Sequence, residues 1–260
     1  MWLTHVRATL PHVRPGPNFF ALVAGLAVFG WLLGRTEPFS VTPWMFVFVV
    51  WGWVLSLVLH EFGHAFVAFA AGDYSVREKG YLTLDVTRYV HPVMSILLPI
   101  VILVAGGIAL PGGAVWVQPM AMRSRAWRTA VSLAGPAMNL LFAVLLLVPV
   151  RLGWIGGNNI EITAGIVLIA WFQIVAIVLN LLPIPGLDGF GAIEPWLSSA
   201  ALRRADRIRP YSFMVLIAIL IGVPDVAESL FGIADRFAGA QDLPGEVWAS
   251  YALSQFEFWN

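Results

Sequence analysis

The sequence predicts an all-α polytopic membrane protein of about five to six transmembrane helices, with a re-entrant hairpin and a short membrane-associated β segment. Three observations predict it. Hydrophobic residues make up 59% of the chain and charged residues 12%, more apolar surface than a soluble domain of this size could bury. Apolar runs at 18–34, 42–71, 130–150 and 161–182 are long enough for a hydrocarbon core of ~30 Å, which takes about 20 helical residues. The basic residues cluster in short segments between those runs, as membrane topology signals do. A net charge of zero gives no electrostatic case for nucleic-acid binding. With no cysteine, the chain lacks disulfides, thiolate catalysis and cysteine-ligated metal.

The elements follow in order. Arg7 and Arg14 precede the first run without a small-residue cleavage site, so it reads as a retained helix. Thr42 is placed to cap the second helix, Pro43 to occupy its first position, and Gly72-Asp73 to end it. Residues 81–87, Tyr-Leu-Thr-Leu-Asp-Val-Thr, alternate apolar and polar, the period of a strand or of an amphipathic surface loop. The stretch 93–118 is apolar but broken by Pro99, Gly106-Gly107 and Pro111-Gly112-Gly113. The run 211–223, interrupted by Pro224, reads as a fifth span. The expected organisation is one domain over 1–260: an N-terminal helix and loop (1–41), a core (42–195), and a C-terminal helix with an extracytoplasmic tail (196–260). No segment is long and polar enough for a PDZ or CBS module.

The chemistry is concentrated in His60-Glu61-Phe62-Gly63-His64, near the far end of the second helix. Histidines four residues apart project from one helical face and can bind the same Zn²⁺, while Glu61, about 100° round, can reach a water held there. Packing of these groups as ordinary polar membrane-helix residues is the plainer alternative, but ionisable groups inside a membrane are costly and usually functional. Further on, Asn180-Leu-Leu-Pro-Ile-Pro-Gly-Leu-Asp188-Gly189 ends the 161–182 run, and its prolines and glycines cannot continue a regular helix. Unwound backbone at membrane depth is tolerated where it is protein-buried or lines a watery cavity. Asp188 therefore sits on a polar ledge as a candidate third ligand. It could equally be a turn residue before Gly189, with Glu194 as a rival ligand.

An HExxH on a transmembrane helix followed by N-x-x-P-x-P-x-L-D-G resembles the site-2 protease family of intramembrane zinc metalloproteases, over about residues 42–195. The resemblance implies that His60, His64 and Asp188 bind Zn²⁺, that Glu61 is the catalytic base, and that Asn180 holds the substrate backbone or the developing oxyanion. Gly135-Pro-Ala-Met-Asn139 is similar to the family's G-x-x-x-N helix motif beside the site, which makes Asn139 a second candidate for substrate contact. Its other reading is a small-residue packing face with Asn139 as interhelical hydrogen-bonder. Residues 81–87 are similar to the family's β segment, which can pair with an extended substrate. The hydrophobic stretch 93–118 departs from the smallest family core.

If Asp188 shares the side of His60 and His64, an even number of crossings separates them, so 93–118 enters and leaves on one side. The arginines at 7, 14, 77, 123, 125, 128, 203, 204, 207 and 209, with Lys79, then fall on that same side. The expectation is an integral membrane protein, in a bacterial plasma membrane, with its site opening toward the cytoplasm. Its expected partners are the lipid bilayer and a transmembrane protein or peptide substrate; the sequence says nothing of oligomeric state. Competing readings are a prenyl-protein-type membrane zinc protease with a glutamate ligand, a catalytically silent relative acting by interaction, and a small transporter.

Overall fold

The computed structural model describes residues 2–37, 43–89, 115–157, 159–239 and 245–255. All regular structure among them is helical. A short helix α1 (Trp2–Thr9) leads through a turn into α2 (Pro17–Leu33), with a bend of 91° between the two arms. Helix α3 (Pro43–Ala71) starts at the anticipated proline and stops just before Gly72. Two one-turn helices, α4 (Ser75–Glu78) and α5 (Val86–Tyr89), follow. Next come α6 (Arg125–Arg151), capped by Ser124, and α7 (Ile160–Asn180), capped by Asn159. The chain ends in α8 (Asp188–Ile193), α9 (Ser199–Gly222), α10 (Pro224–Ala238) and α11 (Gly245–Ser254).

Helices α3, α6 and α7 are long and apolar enough to cross a membrane; five spans result if each of two bent pairs counts as one. One bent pair is the N-terminal arm with α2. The other is the last part of α9 with α10, bent by 90° at Pro224. Three to five spans among the described residues overlaps the expected five to six at five. The re-entrant hairpin expected over 93–118 lies, up to residue 114, outside the described residues, while 115–118 carries no regular structure.

Helix α3 is the central element, packed along α6 and α7 and flanked by α2, while α10 and α11 cover the outside of α7. Val58, Ala65 and Ala68 of α3 and Val167 and Ala170 of α7 are fully buried. Where lipid supplies little drive for helix association, small residues at crossings supply contact instead. A Cβ on Gly63, inside the HExxH pentad, would stand 2.6 Å from the Ala134 carbonyl oxygen of α6. One glycine therefore lets α6 come close enough to reach both histidines.

The strand expected at 81–87 is not formed. Tyr81–Thr83 is a 3-10 turn and Val86 begins α5. Gly80 (φ 77°) and Leu84 (φ 51°) are both left-handed, which breaks any extended run. Asp85 Oδ1 then accepts from the Thr87 amide (3.1 Å) and hydroxyl (2.9 Å), a local arrangement that turns the chain into a helix. The carbonyls of Leu82 and Thr83 accept from the amides of Arg14 and Gly16, so the leader covers the edge a substrate strand would need. The period-two pattern records a tight turn that buries Tyr81, Leu82 and Leu84.

Candidate metal and active site

His60 and His64 lie one turn apart on α3, and α6 holds each ring from behind. The Val131 carbonyl oxygen accepts from His64 Nδ1 at 2.7 Å. Asn139 Oδ1 lies 3.2 Å from His60 Nδ1. A carbonyl can only accept, so each Nδ1 carries the proton and each Nε2 presents a lone pair. The two Nε2 atoms are 3.0 Å apart.

Asp188 arrives from the other half of the chain. After α7 the backbone turns at Gly186, whose φ of 104° suits glycine, and Leu187 leads extended into α8 with Asp188 as its first residue. Its two carboxylate oxygens stand 3.3 Å from His60 Nε2 and 3.3 Å from His64 Nε2. Two nitrogen lone pairs and an anionic carboxylate thus converge with no proton placed between them by the α6 contacts. That donor set is satisfied by a shared positive charge, either a metal ion among the three or a proton on one imidazole. Tetrahedral Zn²⁺ with bonds of about 2.0–2.1 Å separates neighbouring ligand atoms by about 3.3 Å, the length of each imidazole–carboxylate contact, although the two contacts use different carboxylate oxygens. This triplet is the group of His, Asp and Glu side chains among the described residues whose geometry could hold a metal ion.

Glu61 is buried beside the triplet, with Oε2 accepting from the Val115 amide at 3.0 Å. Val115 begins an irregular stretch held further along by Lys79 Nζ on the Trp116 carbonyl (2.7 Å) and by Asp73 Oδ2 on the Gln118 amide (2.6 Å). A cleft of about 320 Å³ is lined by His60, Glu61, His64, Val115, Asn180 and Asp188, among others. The buried Tyr89 hydroxyl donates to the Tyr81 carbonyl. Burial, and next the Glu61 charge, push this phenol's pKa upward, so it stays protonated near the site.

The sequence candidates are distributed plainly. His60, Glu61, His64, Asp188 and Asn180 share the cleft. Asn139 contacts His60 from behind, 3% exposed, and does not line that cleft. Glu194, the rival ligand, instead pairs with Arg209 at 2.7 Å. The backbone partners Val131 and Val115 carry no side-chain signal and could not be picked out by residue type. Gly135 could have been, since a Cβ there would stand 2.6 Å from His60 Nε2.

Most of the chain is similar to known proteins. The chain is 43% identical to the zinc metalloprotease Rip2 of Mycolicibacterium smegmatis over 84% of this chain and 84% of that protein. It is 41% identical to the Rip2 protein of Mycobacterium tuberculosis strain H37Rv over 91% of this chain and 95% of that one. It is also 28% identical to the zinc metalloprotease YwhC of Bacillus subtilis, covering 71% of this chain and 83% of that one. No family model matches, and no solved structure matches. With relatives above 40% identity aligned over most of both chains, this chain belongs to the site-2 protease family of intramembrane zinc metalloproteases.

Proposed function

We propose that this chain cleaves transmembrane proteins or peptides within or near their membrane segment, with His60, His64 and Asp188 holding Zn²⁺ and Glu61 as catalytic base. The observation that carries this reading is the convergence of His60 Nε2, His64 Nε2 and the Asp188 carboxylate, through contacts of 3.0 to 3.3 Å, beside the buried Glu61. Zinc held by these three residues would acidify a water and polarise the scissile carbonyl. Glu61 takes the proton of the attacking water and passes it to the leaving amine. Asn180, on the cleft wall at the end of α7, donates its amide to the substrate backbone or the developing oxyanion. Asn139 orients His60, fixing its tautomer as outer-shell partners of metal-binding histidines do.

A substrate helix keeps its carbonyls in i→i−4 hydrogen bonds, so it unwinds locally before attack. The enzyme works in a bacterial plasma membrane, with the cleft opening to the cytoplasm. Support for that side comes from cations at the same end of α3. Arg123 donates to the Ala70 carbonyl, and Lys79 reaches Trp116. Regulatory membrane proteins such as anti-sigma factors, or remnant peptides left by an earlier cut, are the fitting substrate class.

The test is zinc content of detergent-purified protein together with cleavage of a reconstituted single-span substrate. Wild type should hold about one zinc per chain and cut. His60→Ala should do neither, and a His60→Ala protein that keeps its zinc overturns the ligand assignment.

A further inference from the structure

Behind His60, away from the cleft, the packing of α3, α6 and α7 leaves a small, partly open cavity of about 20 Å³. Its wall is mostly apolar, but four polar side chains reach it: Ser56 and His60 of α3, Asn139 of α6 and Gln173 of α7. Gln173 is 1% exposed, and its Oε1 has no hydrogen-bond partner, while its Nε2 makes a long 3.3 Å contact to the Ile169 carbonyl one turn back. A buried amide oxygen left unpaired costs about 1–3 kcal/mol. A glutamine buried where three membrane helices pack together is therefore a poor choice for packing alone.

The cavity has the size of one water. A site needs about 10–15 Å³ on this measure, and a buried water makes about three hydrogen bonds. Three partners line the wall. Gln173 Oε1 is an acceptor without a donor. Ser56 Oγ gives its proton to the Trp53 carbonyl at 2.8 Å, so its lone pairs remain to accept. Asn139 has Oδ1 turned to His60 Nδ1, leaving the Nδ2 amide group to donate.

We propose that Gln173 is a positioning residue for the metal site: with Ser56 it holds one internal water that accepts from Asn139 Nδ2 and so locks Asn139 with its oxygen toward His60. The direction of that amide matters chemically. With Oδ1 toward the ring, Nδ1 is the protonated nitrogen and Nε2 is left bare to bind a metal. Were Asn139 to flip, its NH₂ would face the ring, Nδ1 would become the acceptor, and the proton would move to Nε2, where it blocks ligation. The water breaks the near-symmetry of the two amide orientations. It does so because Gln173 Oε1 and Ser56 Oγ take both of its protons, leaving it only able to accept.

This rests on the zinc assignment made above, and the experiment separates the two. Zinc affinity of the full-length chain in detergent is measured by chelator competition for wild type, Gln173→Leu, Asn139→Ala and the double variant, with thermal unfolding of each metal-free form. Tight zinc binding by wild type, lost in His60→Ala, checks the metal site itself. Given that, Gln173→Leu should weaken zinc about tenfold, within the range for outer-shell substitutions, while the metal-free protein unfolds no earlier. In the Asn139→Ala background the same change should have little effect, since its route to His60 is already cut. Unchanged zinc affinity in Gln173→Leu, or an equal loss in both backgrounds, overturns the proposal. If the leucine variant does not fold, an atomic-resolution structure of wild type decides. An ordered water touching Gln173 Oε1 and Asn139 Nδ2 supports the proposal, and a dry cavity overturns it.

Discussion

Gly135 of α6 lies against the Nε2 edge of His60, so close that a methyl group there would stand 2.6 Å from the nitrogen, and nearer still to Nε2 of His64. The absent side chain is what leaves room for two imidazoles and a carboxylate to meet. Gly135→Ala should therefore act on the proposed metal site itself. Overpacking of this kind costs about 1–3 kcal/mol, which corresponds to a roughly five- to 150-fold loss of zinc affinity with peptide cleavage falling in parallel. Helix content should be kept, because alanine is a better helix former than glycine. Chelator competition with circular dichroism on the same sample reads both, and wild-type zinc affinity in Gly135→Ala would refute the close approach.

Glu61 is placed to take a proton, yet one of its oxygens already accepts from the Val115 amide at 3.0 Å. Oε1 remains for the attacking water. Glu61→Gln keeps the shape and can still accept from Val115 through its carbonyl oxygen, but it cannot act as a base. Cleavage should drop by about 10²–10⁴-fold with zinc content near that of wild type. Single-turnover cleavage of a reconstituted substrate measures this, and activity within tenfold of wild type would remove Glu61 from the base role.

The third ligand can be separated from its rival by charge partners. Asp188 faces both histidines at 3.3 Å, whereas Glu194 is tied to Arg209 in a half-exposed ion pair. Asp188→Ala should strip zinc from the purified protein. Glu194→Ala should keep it and cost less than about 1 kcal/mol of stability, as exposed pairs do. The opposite pattern in metal analysis would move the ligand to Glu194.

Much of this arrangement was legible before any coordinates. The pentad announces itself because helical periodicity alone places His60 and His64 on one face. The proline- and glycine-broken run around Asp188 shows a helix ending where polar backbone would need a reason to be. Residues 81–87 misled because an alternating pattern fits a strand and also a tight turn that buries Tyr81, Leu82 and Leu84. Only the left-handed Gly80 and Leu84 and the Asp85–Thr87 bonds tell them apart, and these are backbone facts. The contacts of Val131 and Val115 were unreadable for the same reason, since a main-chain carbonyl or amide is present at nearly every position.

The turn that replaced the expected strand carries a pH-dependent prediction. Asp85 receives a hydrogen bond from Asn18 Nδ2 at 2.8 Å, which ties the start of α2 to the segment after α3. Burial alone would raise the Asp85 pKa. The bonds from Asn18 and Thr87, with Arg88 nearby, outweigh burial and hold the carboxyl below its usual 3.8. A carboxyl depressed in the folded state contributes its full stability above the unfolded value near ~3.9, and loses it as pH falls through the folded value. Asn18→Ala should therefore lower thermal stability at about pH 6, by less than about 1 kcal/mol once solvent screening of this exposed pair is discounted. The difference from wild type should shrink as the pH falls through the lowered folded pKa of Asp85 and the carboxyl becomes protonated in both proteins. Melting curves of the two metal-free proteins across that range measure it. A difference that stays constant with pH would show that Asn18 contributes packing alone, and that the Asp85 charge plays no part in holding the leader to the turn.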